Sequence, residues 1–299
     1  MRWNVVELAE NGRYVKLYRG FLLVMDGEQE LGRIIIDEMN CLILSAEQAT
    51  LSKPVMVRLA EHGVPIVICC NNYHPISLNL PYTNHHHSTQ VLHNQINASR
   101  PLQKRLWQAL IKRKIQHQRH TLLKCQPSAQ AQARQLTRLV EKTRSGDPDN
   151  CEAQASRLYW QALMGDTFRR RSENDDFINA ALNYGYTVIR AACARATVAA
   201  GLNPALGLHH HNQGNPFCLV DDLMEVYRPC VDDIVYHLTP NHYLEPEHKR
   251  ALAQLLQANI QAQGKTTTIN TSMQILATSL ANSYENKSEA LHLPQWENK

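Results

Sequence analysis

The sequence lacks the segments that would direct it into or across a membrane. Within its 299 residues, no uninterrupted apolar run approaches the roughly 18 residues that a membrane helix needs. The most apolar long stretch, 180–208, contains Arg190 and Arg195. Charged side chains between Glu7 and Arg19 exclude the apolar centre of a signal peptide. We therefore expect a cytoplasmic protein that makes no membrane contact.

Closely spaced cysteine pairs of the zinc-binding kind are also lacking. The eight cysteines are scattered, only Cys69 and Cys70 are adjacent, and no Cys-x-x-Cys occurs. In a reducing compartment such residues remain free thiols, and most of them fill apolar space. The sequence therefore predicts neither a zinc cluster of the usual spacing nor a disulfide framework.

The first 75 residues have the spacing of β-strands. Short runs rich in Val, Ile, Leu and Tyr are separated by Asn11-Gly12 and Asp26-Gly27, which are favourable turn sequences. One helix is predicted over Ser52–His62, with Gly63 after it as a stop signal. Residues 1–75 are therefore predicted to form a small β-rich domain for dimerisation, because the edges of its sheets are natural dimer surfaces.

The hydrophobic period changes further along the chain. Residues 76–90 are polar and contain proline, which predicts a linker, and the histidines at 85–87 have no acidic neighbours. Leu and Ile recur at helical spacing over 91–285, which predicts an all-α domain. Residues 286–299 are polar, and we expect a loose tail. The predicted fold class is thus α+β, with the small β-rich domain followed by the larger all-α domain.

Charge is concentrated in one part of the predicted helical domain. Residues 100–146 hold twelve basic side chains and one acid, a net charge of +11, whereas the whole chain carries +4. A phosphate backbone is the obvious partner for such a face, because each neutralised phosphate releases condensed counterions. A solvated helix surface is the alternative.

Acidic and histidine side chains cluster near the middle of the helical domain. Three histidines at 209–211 lie in a predicted loop, and a helix is predicted from Leu219 with Asp221, Asp222 and Glu225 in its first turns. Acids three or four residues apart repel each other unless a cation or a basic group compensates. The pattern favours a divalent-metal site, and solvated acids beside a solvated histidine loop are the alternative.

Glu152 lies at the predicted start of an earlier helix. Asp149 and Glu152 have the spacing of a capping box, in which an acid at the helix start is followed three residues later by Glu. Glu152 is therefore either a capping residue or a metal ligand, and its position alone leaves both open.

Four segments in this order resemble one family. They are Glu152–Trp160, Asp176–Tyr186, Gly201–His210 and Asp221–Pro229. Together they resemble the CRISPR-associated integrase, most closely the branch associated with type II systems. The resemblance covers nearly the whole chain and implies a β-rich N-terminal domain and an all-helical catalytic domain.

The resemblance also implies a set of metal ligands. Glu152, His210 and Glu225 match the family's catalytic ligands, and the Gly-x-x-His pattern beginning at Gly207 selects His210 among the three histidines. Asp222 would position a ligand or bind a water on the metal. Two carboxylates and one imidazole suit Mg²⁺ or Mn²⁺.

The chain departs from the family pattern at two places. Val226-Tyr227 stands where Pro-Phe is common, and His211 extends the histidine run. Neither departure removes a ligand, but the second leaves His209 and His210 harder to distinguish by sequence.

The implied activity is metal-dependent integration of DNA. The 3′-hydroxyl of a captured DNA fragment attacks the repeat of a CRISPR array, which yields spacer acquisition and antiviral defence. The implied partners are double-stranded DNA, a second copy of the chain in a homodimer, and a dimer of a small ferredoxin-like CRISPR-associated protein. The alternatives are a catalytically silent DNA-binding scaffold of the same fold and a general metal-dependent nuclease.

Overall fold

The computed structural model describes residues 4–70, 75–81, 87–171 and 176–296. The chain divides into two compact units, 1–86 and 87–299. Over the described ranges, no helix combines the length and the apolar character that crossing a membrane requires.

The first unit contains two four-stranded sheets. In spatial order, the first sheet consists of β1 (Asn4–Leu8), β5 (Met39–Leu44), β7 (Ile66–Cys69) and β8 (Pro75–Asn79). The second sheet consists of β4 (Gln29–Ile35), β3 (Phe21–Asp26), β2 (Arg13–Tyr18) and β6 (Ala49–Leu51). Strand β5 pairs in parallel with β1 and β7, and β8 closes the first sheet in antiparallel pairing with β7.

One helix completes this unit, as the sequence predicts. Helix α1 (Lys53–Glu61) buries Val55 and Leu59 in a core that also contains Leu22 and Met39. The helix ends before Gly63, whose φ of 65° is a left-handed conformation that glycine adopts without strain. The β-rich character predicted for the N-terminal part is confirmed.

The predicted linker over 76–90 differs from the structure. Strand β8 occupies its first part, and helix α2 begins at Ser88. Pro75 is the first residue of β8, at the edge of the sheet, where the missing N–H breaks no ladder. Because proline is most common in turns, the sequence predicts a linker where this strand begins. His85 and His86 lie outside the described residues.

The second unit is mainly helical. Its helices are α2 (Ser88–Ile96), α3 (Arg100–Cys125), α4 (Gln130–Lys142), α5 (Cys151–Met164), α6 (Phe177–Ala199), α7 (Cys218–Met224), α8 (Arg228–His237), α9 (Pro246–Gln254) and α10 (Ile269–Glu285). A 3₁₀ turn, Glu225–Tyr227, joins α7 to α8, and another, Leu255–Gln257, follows α9.

A β-hairpin interrupts the predicted all-α domain. Strands β9 (Asn259–Ala262) and β10 (Lys265–Thr268) pair antiparallel around Gln263 and Gly264, both of which have positive φ. Two left-handed residues between paired strands are typical of a tight hairpin turn. The run Thr266–Thr268 was the sequence signal for this strand, because β-branched residues favour extended backbone.

The predicted loose tail is also corrected by the structure up to residue 296. Gln295 exchanges two backbone hydrogen bonds with Gln261 of β9. The Trp296 ring stacks on His120 of α3, with ring centroids 5.6 Å apart. A single docked aromatic side chain leaves no periodic pattern in the sequence, so the prediction had no signal to use.

Helix α3 is the element around which the site is built. Ser99 caps it by accepting a hydrogen bond from the Leu102 N–H, and Leu106, Trp107 and Leu110 are buried along it. The helix packs against α4, α5, α8 and the 225–227 turn. Its inward face therefore meets the segments that carry Glu152 and Glu225. Its Trp107 ring also stacks on the His209 ring of the histidine loop.

Candidate active site

Three elements bring two predicted ligands to one ammonium group. Lys114 of α3 lies with its Nζ 2.6 Å from Glu152 Oε1 of α5 and 2.6 Å from Glu225 Oε2 of the 3₁₀ turn. The two carboxylate oxygens are therefore separated by at most twice that distance. The Lys114 and Glu225 side chains are buried, at 8% and 6% exposure, whereas Glu152 keeps 24%. Two of the predicted ligands thus meet in one partly closed site.

Opposite charges keep this cluster ionised despite its burial. Burial alone would raise the pKa of Glu225, but Arg228 and Lys114 outweigh it and the pKa lies below its ordinary value. Burial would likewise lower the pKa of Lys114, and the charges of Glu225 and Glu152 raise it instead. Arg228 Nε lies 2.9 Å from Glu225 Oε1, so each oxygen of Glu225 faces a different cation.

The start of α5 frees Glu152 for the site. Asp147 accepts hydrogen bonds from the N–H groups of Cys151 and Glu152, at 2.8 and 3.0 Å. Asp149, predicted as the capping acid, instead forms an ion pair with Arg144. The capping-box interpretation is therefore wrong, because an acid two residues earlier satisfies the exposed N–H groups. The Glu152 side chain is left to contact Lys114.

Asp222 organises the histidine loop. Its side chain is fully buried and accepts hydrogen bonds from the backbone N–H groups of Leu208, His209 and His210, at 2.6, 3.1 and 3.4 Å. It also contacts His210 Nδ1 at 2.5 Å. One carboxylate therefore fixes both the path of the loop and the orientation of the imidazole.

Gly207 permits this close wrapping. A Cβ atom at Gly207 would lie 2.3 Å from the carbonyl oxygen of His210, 2.9 Å from Asp222 Oδ2 and 3.0 Å from the Cys218 Cβ. Real Cβ atoms do not approach neighbours at the shortest of these distances. The Gly-x-x-His spacing is thus a steric requirement of a loop that folds onto its own carboxylate.

The structure separates the three adjacent histidines. The His209 ring stacks on Trp107 of α3, with centroids 4.5 Å apart and planes 2° from parallel. His211 Nε2 lies 3.2 Å from an Arg100 guanidinium nitrogen. Of the three imidazoles, that of His210 contacts the Asp222 carboxylate, and this hydrogen bond raises its pKa; the charges of Asp222, Glu225 and Glu152 add to the rise. His210 is therefore the histidine whose ring interacts with the acids of the candidate site.

Asp221 points away from this cluster. Arg190 of α6 binds both of its oxygens, at 2.6 and 2.9 Å, and Asn215 donates to the same carboxylate at 2.7 Å. The repulsion expected among the acids of this helix is thus offset by separate basic groups.

The donor set fits a hard divalent cation. The hydrogen bond at His210 Nδ1 leaves Nε2 as the ring's ligand atom, an arrangement that carboxylates impose on metal-binding histidines. Glu225 Oε2 is buried and, within the described ranges, accepts no hydrogen bond of good geometry despite its ion-pair contact with Lys114. Ligands on opposite sides of a Mg²⁺ ion lie about 4.2 Å apart, within the limit on the glutamate oxygens. These residues are suited to Mg²⁺ or Mn²⁺.

A different trio has closely spaced ligand atoms. Among the residues that the structure describes, Cys125, Asp233 and His237 are the group whose ligand atoms all lie within 4.8 Å of one another, and Glu152, His210 and Glu225 do not reach that spacing. Lys124 already pairs with Asp233 at 2.6 Å, and burial raises the pKa of the Cys125 thiol to about 12. Without a metal, this cluster is a neutralised set of hydrogen-bonding groups, and it shares no residue with the predicted ligands.

The basic segment over 100–146 divides between surface and site. Exposed members are Arg100, Lys104, Arg105, Arg119, Lys124, Arg134, Arg138, Lys142 and Arg144. Lys124 and Arg144 are already paired with acids, and Lys114 is buried. The remaining exposed charges on α3 and α4 are available to a polyanion.

Sequence reasoning missed the residues that support the ligands. Lys114 is one of twelve basic residues over 100–146, and no sequence pattern distinguishes Asp232, which accepts hydrogen bonds from the buried hydroxyls of Tyr159 and Tyr186. The Arg228 guanidinium lies over the Tyr186 ring, 4.7 Å from its centroid, and so connects this pair of tyrosines to Glu225. The unbalanced acids at 221–225 were a signal that basic partners must exist elsewhere, but not of which ones.

Comparisons with known proteins give matches to CRISPR-associated Cas1 proteins. The family model described as CRISPR associated protein Cas1 matches residues 6–271. A CRISPR-associated endonuclease Cas1 from Neisseria meningitidis is 38% identical over 248 residues, which cover 83% of this chain and 79% of that protein. A CRISPR-associated endonuclease Cas1 from Saccharolobus solfataricus is 27% identical over 245 residues, covering 77% and 69%.

Solved structures share the fold at low sequence identity. A casposase bound to integration product matches with a TM-score of 0.78 and 18% identity, over 98% of this chain and 93% of that one. A CAS1 protein from Thermotoga maritima matches with a TM-score of 0.75 and 15% identity, over 97% and 99%. The order of a β-rich unit and a helical unit is therefore one that solved proteins also have.

Proposed function

The chain belongs to the CRISPR-associated protein Cas1 family, and from that premise we propose that it is a metal-dependent DNA integrase and endonuclease of CRISPR adaptation. In the cytoplasm, it would join the 3′-hydroxyl ends of captured DNA to the repeat of a CRISPR array. The observation that carries the proposal is that Glu152 and Glu225 meet at the Lys114 ammonium, and the next predicted ligand, His210, has its ring oriented by Asp222.

Glu152, His210 and Glu225 are the proposed ligands of Mg²⁺ or Mn²⁺. A bound divalent ion would lower the pKa of the attacking hydroxyl and offset the charge on the phosphate oxygens. The protein's part is positional. Asp222 holds the His210 ring by Nδ1, and Arg228 holds the Glu225 oxygen that does not face Lys114. No side chain of the chain is required to form a covalent intermediate.

The exposed basic side chains of α3 and α4 are the proposed DNA surface. Such a surface contacts the phosphate backbone and does not read bases, so affinity should fall steeply as salt rises. We further propose a homodimer that assembles with a dimer of a small ferredoxin-like CRISPR-associated protein. A structurally similar chain, 36% of which is covered by this chain, comes from a complex named Cas6-RT-Cas1--Cas2, and that name supports assembly with another Cas protein.

A strand-transfer assay tests the proposal. A pre-cut DNA fragment and a supercoiled plasmid that carries a CRISPR repeat are incubated with the protein, with and without Mn²⁺. We expect joined product only with metal, and loss of that product in Glu152→Gln, His210→Ala and Glu225→Gln. Glu247→Gln is the control, because it removes the same charge from a side chain that is 78% exposed.

The alternatives give different results in the same assay. A general nuclease would cut the plasmid without joining the fragment. A catalytically silent scaffold would bind DNA and do neither. Wild-type levels of joined product in any one of the three ligand variants would remove that residue from the site, provided that its melting temperature matches the wild type.

A further inference from the structure

One buried ammonium occupies the space between the two proposed glutamate ligands. Lys114 donates a hydrogen bond to Glu152 Oε1 at 2.6 Å and lies equally close to Glu225 Oε2, with its side chain only 8% exposed. Lysine is rarely buried this deeply without a partner. Here it has two, and both belong to the proposed metal site.

The charges around Lys114 explain why it lies there. Glu152 and Glu225 are carboxylates on different helical segments whose facing oxygens are at most twice 2.6 Å apart. Like charges at this separation repel each other strongly in a partly buried site. Arg228 neutralises one side of Glu225, at Oε1. The Lys114 ammonium is the cation that the two carboxylates share.

A metal ion bound by both carboxylates would need the same two oxygens. Ligand oxygens lie about 2.1 Å from Mg²⁺, which is closer than they lie to the ammonium nitrogen here. An ammonium and a divalent cation cannot both lie between these oxygens, because their positions overlap and their charges repel. Lysine has a flexible four-carbon stem, so the ammonium can move while α3 stays in place.

We propose that Lys114 is an internal stand-in for the metal: it holds Glu152 and Glu225 together in the metal-free protein and must leave that position for a divalent ion to be bound by both. This inference rests on the proposed function, since it takes these glutamates as ligands. Lys114 is thus a positioning residue that stabilises the paired carboxylates and weakens their affinity for metal.

Lys114→Met tests the inference, because methionine is unbranched and apolar and carries no charge. Without DNA, we expect the variant's melting temperature to fall in metal-free buffer and to rise more on addition of Mn²⁺ than that of the wild type. Mn²⁺ affinity, measured from the free-ion signal in electron paramagnetic resonance, should increase by about tenfold or more, because no ammonium has to be displaced; tenfold corresponds to about 1.4 kcal/mol.

Lys265→Met is the control. Lys265 is an exposed residue of β10 and belongs neither to the proposed ligands nor to the Cys125–Asp233–His237 group. This variant loses the same positive charge, and we expect Mn²⁺ to raise its melting temperature only as much as that of the wild type and to bind it no more tightly.

The sign of the affinity change decides the matter. A lysine that only supports the site by packing would leave Mn²⁺ binding weaker or unchanged when removed, and either result overturns the inference. Lys114→Gln, which keeps hydrogen-bonding capacity, serves if the methionine variant does not fold, and the same increase in Mn²⁺ affinity is expected.

Failure of both variants to fold, even when they are prepared with Mn²⁺, also overturns the inference, because metal should replace the ammonium. If the wild type binds no Mn²⁺, the proposed metal site itself fails; if it binds and Lys114→Met does not differ, only the role of Lys114 fails.

Discussion

The sharpest consequence of the site geometry concerns Asp222→Asn. The Asp222 carboxylate receives three backbone N–H groups and His210 Nδ1, two at each oxygen. Asparagine keeps one acceptor oxygen and places an NH₂ group opposite two donors. Hydrogen bonds to a charged group contribute about 1.5–3 kcal/mol each, so losing two weakens the loop by roughly 3–6 kcal/mol.

Hydrogen exchange measures this loss where it occurs. The loop can open without global unfolding, so the amides of Leu208 and His209 should exchange at least about 100-fold faster in Asp222→Asn, which is the factor for roughly 3 kcal/mol. Mn²⁺ affinity should fall about 10–100-fold, since His210 loses the partner that orients its ring. Both effects follow from one substitution of nearly unchanged volume.

Asp221→Asn is the control for this experiment. It changes the adjacent acid of the same helix, but the Asp221 carboxylate accepts its hydrogen bonds from the Arg190 and Asn215 side chains and not from the amides at 208–210. Its loop amides should exchange at the wild-type rate. Wild-type exchange at Leu208 and His209 in Asp222→Asn would refute the assignment of Asp222 as the organiser of the loop.

Two further predictions concern loop sterics and pH. Gly207→Ala should lower Mn²⁺ affinity and strand transfer, because its Cβ would lie 2.3 Å from the His210 carbonyl oxygen. Gly214→Ala is the control, since its Cβ would make only an ordinary contact at 3.5 Å. Equal affinities of the two variants in a Mn²⁺ titration would contradict this prediction. Burial raises the pKa of Asp232 from 3.8 to about 7 despite its bonds from Tyr186 and Tyr159. The folded protein therefore keeps a proton that the unfolded chain loses above about pH 4, and this residue's contribution to stability falls as pH rises from about 4 to about 7. Denaturant titrations of Asp232→Asn and the wild type measure this effect. The free energy of unfolding of the variant minus that of the wild type should increase by about 4 kcal/mol as pH rises over that range. A difference that does not change with pH would argue against a proton on Asp232.

The sequence by itself determined the class of fold and the ligand candidates. Alternating and helical hydrophobic periods are local properties, so the β-rich part and the helical part could be recognised without knowing how they pack. Glu152, His210, Asp222 and Glu225 were found by their resemblance to family motifs, and Gly207 marked the position of the histidine. Local sequence patterns were sufficient for these predictions.

Only the tertiary structure decided which charges meet. Lys114 and Glu152 are 38 residues apart, and their contact depends on how α3 packs against α5. The replacement of Asp149 by Asp147 as the capping acid depends on the path of the backbone before α5. Electrostatic partners act across space and leave no period in the sequence, whereas helix and strand patterns repeat along it. For that reason the chain itself supplied the candidate ligands, but not the cation that lies between two of them.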